Sequence, residues 1–198
     1  NDGEKQSHID FVEKLKPLTD KGVKIFVIPG NHDIRYSNAT RFQGNKAFET
    51  EGTTQEEFLD IYANYGYNNA IRRDTNSLSY VASLDESLWL LAIDAALYSP
   101  EKKRTPSGGK LKVETEKWIA EVMSEAKNKN KKVIAMMHWN ITEHLPMQSF
   151  AFPNHIIDDH KRVANFLADS GIQVIFTGHF HSNDIAAFTS DAGNTIYD

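Results

Sequence analysis

The chain has 198 residues, a size that fits one domain, 1–198, and leaves little room for two. Hydrophobic residues make up 40% of it and charged residues 25%, which is typical of a folded globular protein. The net charge of -5 argues against duplex nucleic acid or an anionic membrane as the main partner, because both bind basic surfaces. No apolar run approaches the roughly 18 residues of a membrane span. Without cysteine, any metal must be held by His, Asn, Asp or Glu.

Hydrophobic periodicity predicts helices that alternate with short strands along the chain. The first half contains a helix over 8–18, a strand over 23–29, a helix over 55–65 and an antiparallel pair of strands over 78–83 and 88–93. The second half contains a helix around 118–126, a strand over 132–137, a helix over 159–170, a strand over 172–176 and a hairpin of 184–190 with 195–197. Apolar strands between helices predict a largely parallel sheet with both faces covered and with antiparallel additions.

Polar clusters follow three of these strands. They are Gly30-Asn31-His32-Asp33, His138-Trp139-Asn140 and Gly178-His179-Phe180-His181. Ligands of such sheets bind beyond the carboxyl ends of the strands. If the three strands are parallel neighbours, four histidines, one asparagine and one aspartate meet at one edge, which predicts a metal site.

The side-chain chemistry narrows the choice of metal. Neutral imidazole with amide or carboxylate oxygen suits zinc, manganese and iron, whereas calcium and magnesium prefer oxygen alone. A His-x-His pair on extended chain places both rings on one side, so His179 and His181 can reach one metal or two adjacent ones. Gly30 and Gly178 are expected to permit the tight turns that lead out of their strands.

Several other polar and aromatic residues can be explained by structural or solvated roles. Each cluster alone fits a structural turn, and only their coincidence at strand ends favours a metal site. We expect structural or solvated roles for His8, His155 and His160, and leave His144 open. Asp94 fits either a turn cap or a residue that hydrogen-bonds a metal ligand, and the structural role is favoured. Two interpretations stay open for Lys102-Lys103-Arg104, a solvated surface or an anion contact, and for Phe150 and Phe152, a pocket wall or a loop anchor.

The three clusters, in this order, resemble the motifs of the calcineurin-like metallophosphoesterases. That family includes purple acid phosphatases and cyclic-nucleotide phosphodiesterases, and the resemblance spans most of the chain. It implies an α/β fold, a sandwich of two mixed β-sheets flanked by helices, with a dinuclear metal centre at the strand ends. The implied activity is metal-dependent hydrolysis of phosphate esters, in the phosphodiesterase-like branch.

The resemblance also implies roles for single residues. Asn31, His138 and His179 look like ligands of one metal ion, and His181 looks like a ligand of the other. His32 resembles the residue that protonates the leaving oxygen or steadies the phosphate, and Asp33 resembles the carboxylate that orients it. Two ions of manganese, iron or zinc would neutralise the phosphate and activate water.

The sequence departs from the family pattern before Gly30. The family has an Asp-x-His pair and a Gly-Asp whose carboxylate bridges both metals, and neither occurs in residues 1–29. Because the family's Gly-Asp precedes a stretch that resembles Asn1-Asp2-Gly3-Glu4, Asp2 is not expected to be the bridge. We therefore expect a chain that is incomplete at the N-terminus and at the C-terminus. Such a chain would hold at most one metal ion weakly, hydrolyse negligibly and self-associate through an exposed sheet edge.

Two other classes of function were weighed against hydrolysis by this family. One is a non-catalytic module or inactive fragment that binds one metal or a phosphorylated ligand. The other is a different metal hydrolase, but Ser182-Asn183-Asp184 after His181 breaks the metallo-β-lactamase pattern, and an amidohydrolase would carry its His-x-His on the first strand. The acidic charge favours a small phosphodiester or cyclic nucleotide as the substrate over duplex nucleic acid.

Overall fold

The computed structural model describes residues 2–102 and 105–198. Lys103 and Arg104 of the predicted basic run therefore lie outside the described residues. The helices are α1 (Lys5–Thr19), α2 (Gln55–Ile61), α3 (Val113–Asn128), α4 (Gln148–Ala151) and α5 (His160–Asp169). The strands are β1 (Ala39–Gln43), β2 (Lys46–Thr50), β3 (Ala70–Arg73), β4 (Tyr80–Ser83), β5 (Leu88–Ile93), β6 (Lys132–Met137), β7 (Ile175–Phe176), β8 (Ala187–Thr189) and β9 (Thr195–Tyr197).

A five-stranded mixed sheet of order β3-β4-β5-β6-β7 forms the centre of the fold. Strands β3, β4 and β5 are antiparallel neighbours, whereas β5, β6 and β7 run parallel. The tight turn between β4 and β5 is held by the Asp85 carboxylate, which accepts hydrogen bonds from the backbone N–H groups of Ser87 and Leu88. The strands β1 and β2 form one separate hairpin, and β8 and β9 form another.

Side chains that alternate along the strands supply two hydrophobic clusters, one on each face of the sheet. Val81 of β4 and Leu91 of β5 belong to the larger cluster, which also holds the inner faces of α3 and α5. Tyr80 and Ala82 belong to the other cluster, with aromatic residues of α2 and the segment after it. Helices therefore cover both faces, and the predicted α/β fold class is confirmed. No helix among the described residues is long and apolar enough to cross a membrane.

The predicted strand over residues 23–29 is not a strand in the structure. Residues 23–30 are irregular and pair with no strand among the described residues. The backbone N–H of Val27 donates instead to the carbonyl oxygen of Tyr65 at 3.1 Å, and the Tyr80 hydroxyl donates to the carbonyl oxygen of Val27 at 3.0 Å. The segment thus packs over the second face of the sheet.

Other element bounds differ from the sequence prediction as well. The predicted strand over 172–176 pairs with β6 only through β7, residues Ile175–Phe176. The predicted helix over 55–65 ends early, because a π-helical turn over Ala63–Tyr67 follows α2. Gly66 lies in this turn with a φ of 115°, and a Cβ there would approach the Tyr80 hydroxyl to 2.3 Å. Glycine is therefore needed at position 66, where the backbone passes close to the Tyr80 side chain.

Candidate metal centre

Three predicted ligands, Asn31, His138 and His179, bring their donor atoms together. Asn31 follows the 23–30 segment, His138 directly follows β6, and His179 lies three residues beyond β7. The Nε2 atom of His138 is 3.0 Å from the Asn31 Oδ1 and 3.1 Å from the His179 Nδ1. Since β6 and β7 are parallel neighbours, their carboxyl ends hold two of these residues side by side, as the sequence predicts.

A backbone contact fixes the tautomer of His179. Its Nε2 lies 2.9 Å from the carbonyl oxygen of Asn154, which can only accept, so Nε2 carries the proton. The Nδ1 atom of a neutral His179 is then unprotonated, and it lies 3.1 Å from the His138 Nε2. A ring oriented through its second nitrogen in this way is a regular feature of metal-bound histidine.

Both histidines are neutral at pH 7. Burial, with smaller contributions from the nearby His179, His32 and His181, lowers the pKa of His138 to about 4. Burial also lowers the pKa of His179 below its usual range. Neutral imidazole is the form that binds a metal ion.

The donor set fits one first-row metal ion. Ligands bound at about 2.1 Å and at right angles lie about 3.0 Å apart. The distances from the His138 Nε2 to the Asn31 Oδ1 and to the His179 Nδ1, 3.0 and 3.1 Å, are close to this value. Two imidazole nitrogens and one amide oxygen suit zinc, manganese or iron. All three ligands are neutral, however, and within residues 2–102 and 105–198 no three His, Asp or Glu side chains form a group that could hold a metal.

His181 is placed differently from the other predicted ligands. It is exposed, and it lies near enough to His138 and His179 for its charge to lower the pKa of each. The expected extended His-x-His geometry is wrong, because His179 and His181 have φ values of 64° and 57°, in the left-handed region. Such backbone conformations are uncommon outside glycine and often occur at functional sites.

The two glycines do not act as the sequence analysis expected. Neither Gly30 nor Gly178 has a positive φ. A Cβ at Gly30 would approach the Cε1 and Nε2 atoms of His138 to 2.8 Å, so glycine is needed there for close contact with the ligand ring. The Gly178 N–H donates to the carbonyl oxygen of His138 at 3.0 Å, which ties the two ligand-bearing segments together.

The carboxylate that holds His32 is that of Asp2. The Nδ1 atom of His32 is 2.8 Å from the Asp2 Oδ1, which also lies 2.8 Å from the NH2 nitrogen of the buried Arg35. The family resemblance implies that Asp33 orients His32, whereas in the structure the carboxylate beside His32 is that of Asp2. The Asp33 Oδ2 instead accepts a hydrogen bond from the Gly30 N–H at 2.6 Å, because the turn of residues 30–33 brings its side chain back to its own backbone.

Three aromatic rings, those of Phe152, His155 and Phe180, lie beside the candidate metal centre. The sequence analysis did not predict that His155 would lie there. The His155 ring stacks on His179 with centroids 4.8 Å apart and an interplanar angle of 23°. Phe152 and Phe180 contact His155 in turn, with centroids 5.9 and 6.0 Å from its ring. Phe152 therefore belongs to the wall beside the centre, whereas Phe150 is 80% exposed. Nothing in the spacing of His155 marks it as a neighbour of His179.

The remaining candidates lie apart from the converging donors. His8 is buried and structural, with its Nδ1 2.8 Å from the Tyr62 hydroxyl. Asp94 is buried and accepts hydrogen bonds from the N–H groups of Leu78 and Ala96, as expected of a cap. His160 is half-buried at the start of α5, and Lys102 is exposed. His144 lies between two carboxylates, with its Nδ1 3.4 Å from Asp184 and its Nε2 3.5 Å from Asp198.

Comparison with known proteins gives a structural neighbour and a family. A dimetal phosphatase from Danio rerio is structurally similar, with a TM-score of 0.58 and 13% sequence identity. The match covers 92% of this chain and 62% of that chain, so this chain spans less than two thirds of the phosphatase, and at this identity the likeness shows the fold. Comparison with curated proteins gives no match. Residues 2–183 match the calcineurin-like phosphoesterase family, and the chain therefore belongs to that family.

Proposed function

We propose that this domain catalyses metal-dependent hydrolysis of phosphate esters, with a preference for phosphodiesters. The observation that supports this most is the convergence of Asn31, His138 and His179 on one point, with His32 held by Asp2 nearby. The three converging residues would hold one metal ion, and His181 would contribute to a second. Zinc, manganese or iron bound there supplies charge neutralisation for the phosphate and lowers the pKa of water.

His32 is suited to donate a proton to the leaving oxygen. Its Nδ1 is engaged by the Asp2 carboxylate, and its side chain is 61% exposed, so Nε2 is free to face a substrate. A carboxylate partner fixes the orientation of the imidazole ring. Arg35 holds Asp2 from the buried side and keeps this carboxylate in place.

The substrate we propose is a small phosphodiester, with cyclic nucleotides as one candidate. The chain carries a net charge of -5, which disfavours the long polyanion of duplex nucleic acid. The rings of Phe152, His155 and Phe180 next to the centre could contact an apolar or aromatic ester group.

We further propose that residues 1–198 alone bind at most one metal ion, weakly, and hydrolyse at a negligible rate. Three neutral ligands leave the charge of a cation uncompensated, and His181 alone cannot hold a second ion against water. The family resemblance implies that a complete centre also needs carboxylate ligands. A non-catalytic role, in which the domain binds one metal or a phosphorylated ligand, is the alternative that this incomplete ligand set favours.

The irregular 23–30 segment and the exposed edge strand β7 suggest self-association of the isolated chain. Residues 23–30 pair with no strand among the described residues, and Phe176 on β7 is 62% exposed. Open backbone edges and exposed apolar side chains favour contact between copies. Sedimentation velocity of the 198-residue chain at increasing concentration should show oligomers, and a monomer at all concentrations would contradict this expectation.

The test of the proposed function compares a phosphodiester with a phosphomonoester in the whole protein. Bis-p-nitrophenyl phosphate should be hydrolysed faster than p-nitrophenyl phosphate, only with manganese, iron or zinc, and not with excess chelator. The variant His32→Ala should lose 100-fold or more in kcat while it retains its bound metal. His160→Ala is the matched control and should behave as the wild type. Full activity in excess chelator would refute the proposal, and loss of metal from His32→Ala would make His32 a ligand.

A further inference from the structure

A buried polar network joins the segments that carry the two histidine ligands. The side chain of Asp198 is fully buried. Its Oδ2 accepts hydrogen bonds from the N–H groups of Ile141 and Thr142, at 2.7 and 3.3 Å, just beyond His138. Its Oδ1 accepts from the Thr177 hydroxyl, two residues before His179. One carboxylate therefore binds both segments at once.

Thr177 and Asn140 close a second link within this network. The Thr177 Oγ1, which donates to Asp198, accepts from the Asn140 Nδ2 at 2.6 Å. Asn140 is buried and lies two residues after His138. The hydroxyl thus uses both its donor and an acceptor lone pair across the gap between the two segments. Removal of the hydroxyl would leave buried polar groups of both neighbours without a partner.

The network extends to the segment that orients His179. Gln148 is fully buried, and its Nε2 lies 3.4 Å from both the Asn140 Oδ1 and the His155 carbonyl oxygen. Its Oε1 accepts from the His144 N–H at 2.8 Å. The neighbouring Asn154 carbonyl accepts from the His179 ring. The same network therefore reaches three segments that meet around the metal centre.

We propose that Asp198 and Thr177 are positioning residues that set the distance between the donor atoms of His138 and His179. This inference rests on the proposed metal centre. The His138 Nε2 and the His179 Nδ1 are 3.1 Å apart and lie on two different segments of the chain. A small shift of either backbone would therefore change this distance. Hydrogen-bonded partners outside the ligands typically change metal affinity by 10- to 100-fold when removed.

The test uses Co²⁺ as the probe, followed by its visible absorption, with the melting temperature measured in parallel. Thr177→Val, which removes the hydroxyl and keeps the shape, should weaken Co²⁺ binding at least tenfold. Thr177→Ser, which restores the hydroxyl, should bind within threefold of the wild type. Asp198→Asn, a second route to the same loss, should also weaken Co²⁺ binding at least tenfold.

The matched control is Thr115→Val. Thr115 is fully buried and donates to the Asp74 carboxylate at 2.7 Å, a hydrogen bond of the same kind that lies outside the network. This variant should lower the melting temperature without changing the dissociation constant of Co²⁺. If Thr177→Val and Thr115→Val bind Co²⁺ equally well, the positioning role is refuted.

The outcome separates this inference from the proposed hydrolysis. A wild-type protein that binds Co²⁺ but does not hydrolyse phosphodiesters refutes the hydrolysis and leaves the positioning role standing. A Thr177→Val protein with wild-type affinity refutes the positioning role whatever the rate of hydrolysis. A wild-type protein with no affinity for Co²⁺ overturns both.

Discussion

Gly30 offers a sharp test of the metal centre, because a single methyl group added there meets a ligand ring. In Gly30→Ala the new Cβ would lie 2.8 Å from the Cε1 and Nε2 atoms of His138 and 2.9 Å from its Nδ1. The φ of Gly30 is not positive, so alanine can adopt the backbone conformation without strain. The variant therefore changes the packing against His138 and leaves the backbone preference nearly unaltered.

The size of the effect follows from the distances. Ordinary van der Waals contact begins at 3.4 Å, so the His138 ring must move by about 0.6 Å. Overpacking of this kind costs about 1–3 kcal/mol of unfolding free energy. The shift also breaks the 3.0 Å contact between the His138 Nε2 and the Asn31 Oδ1. We therefore expect metal affinity to fall 10- to 100-fold, which corresponds to about 1.4–2.8 kcal/mol of binding free energy.

The assay is a Zn²⁺ titration by calorimetry together with urea unfolding. Gly178→Ala is the matched control, because its Cβ would meet only the His138 carbonyl oxygen, at an ordinary 3.7 Å. We expect Gly178→Ala to bind Zn²⁺ as the wild type does and Gly30→Ala to bind at least tenfold more weakly. Equal affinity in the two variants would show that contact with the His138 ring does not control the site.

Two further predictions concern stability. Zn²⁺ at a hundredfold excess over its dissociation constant should raise the unfolding free energy by about 2.7 kcal/mol, whereas Ca²⁺ at the same concentration should leave it unchanged, since nitrogen donors do not suit calcium. Burial raises the pKa of Asp74, but hydrogen bonds from Ser77, Thr115 and Asn76 outweigh it and lower the pKa overall, so its stabilisation is present above the unfolded-state pKa and is lost as pH falls. Asp74→Asn should cost about 1–3 kcal/mol at pH 7 and reduce the loss of stability in acid, and an unchanged acid limb in urea titrations would contradict this.

Much of the sheet could be predicted from the sequence because its strands are buried and regular. The bounds of β5 and β6 match the prediction, because strands that are buried on both faces appear in the sequence as continuous apolar runs. The hairpin of β1 and β2 was missed because most of its residues are exposed and no hydrophobic pattern marks it. The 23–30 segment was misassigned because an apolar run predicts burial but does not show which group its backbone will bond.

The candidate metal centre, like the sheet, could be predicted only in part. That His138 and His179 lie side by side could be predicted, because the parallel neighbours β6 and β7 bring their carboxyl ends to the same edge of the sheet. Asn31 joins them although the segment before it is not a strand. The pairing of His32 with Asp2 could not, since it joins residues 30 apart through loop geometry that no local pattern encodes. The tautomer of His179 could not be predicted either, because the backbone carbonyl of Asn154, 25 residues away in the sequence, sets it.

If the proposed centre binds a metal ion, its charge predicts that metal binding and phosphate binding are coupled. Asn31, His138 and His179 contribute no negative charge, and the Asp2 carboxylate is already shared by His32 and the buried Arg35. The Arg35 Nε has no hydrogen-bond partner among the described residues. A cation bound by the three neutral ligands would leave the site positive on a chain whose net charge is -5, and an anionic phosphate is what restores neutrality. By linkage, a phosphate that binds more tightly when the metal is present must raise the affinity for the metal by the same factor.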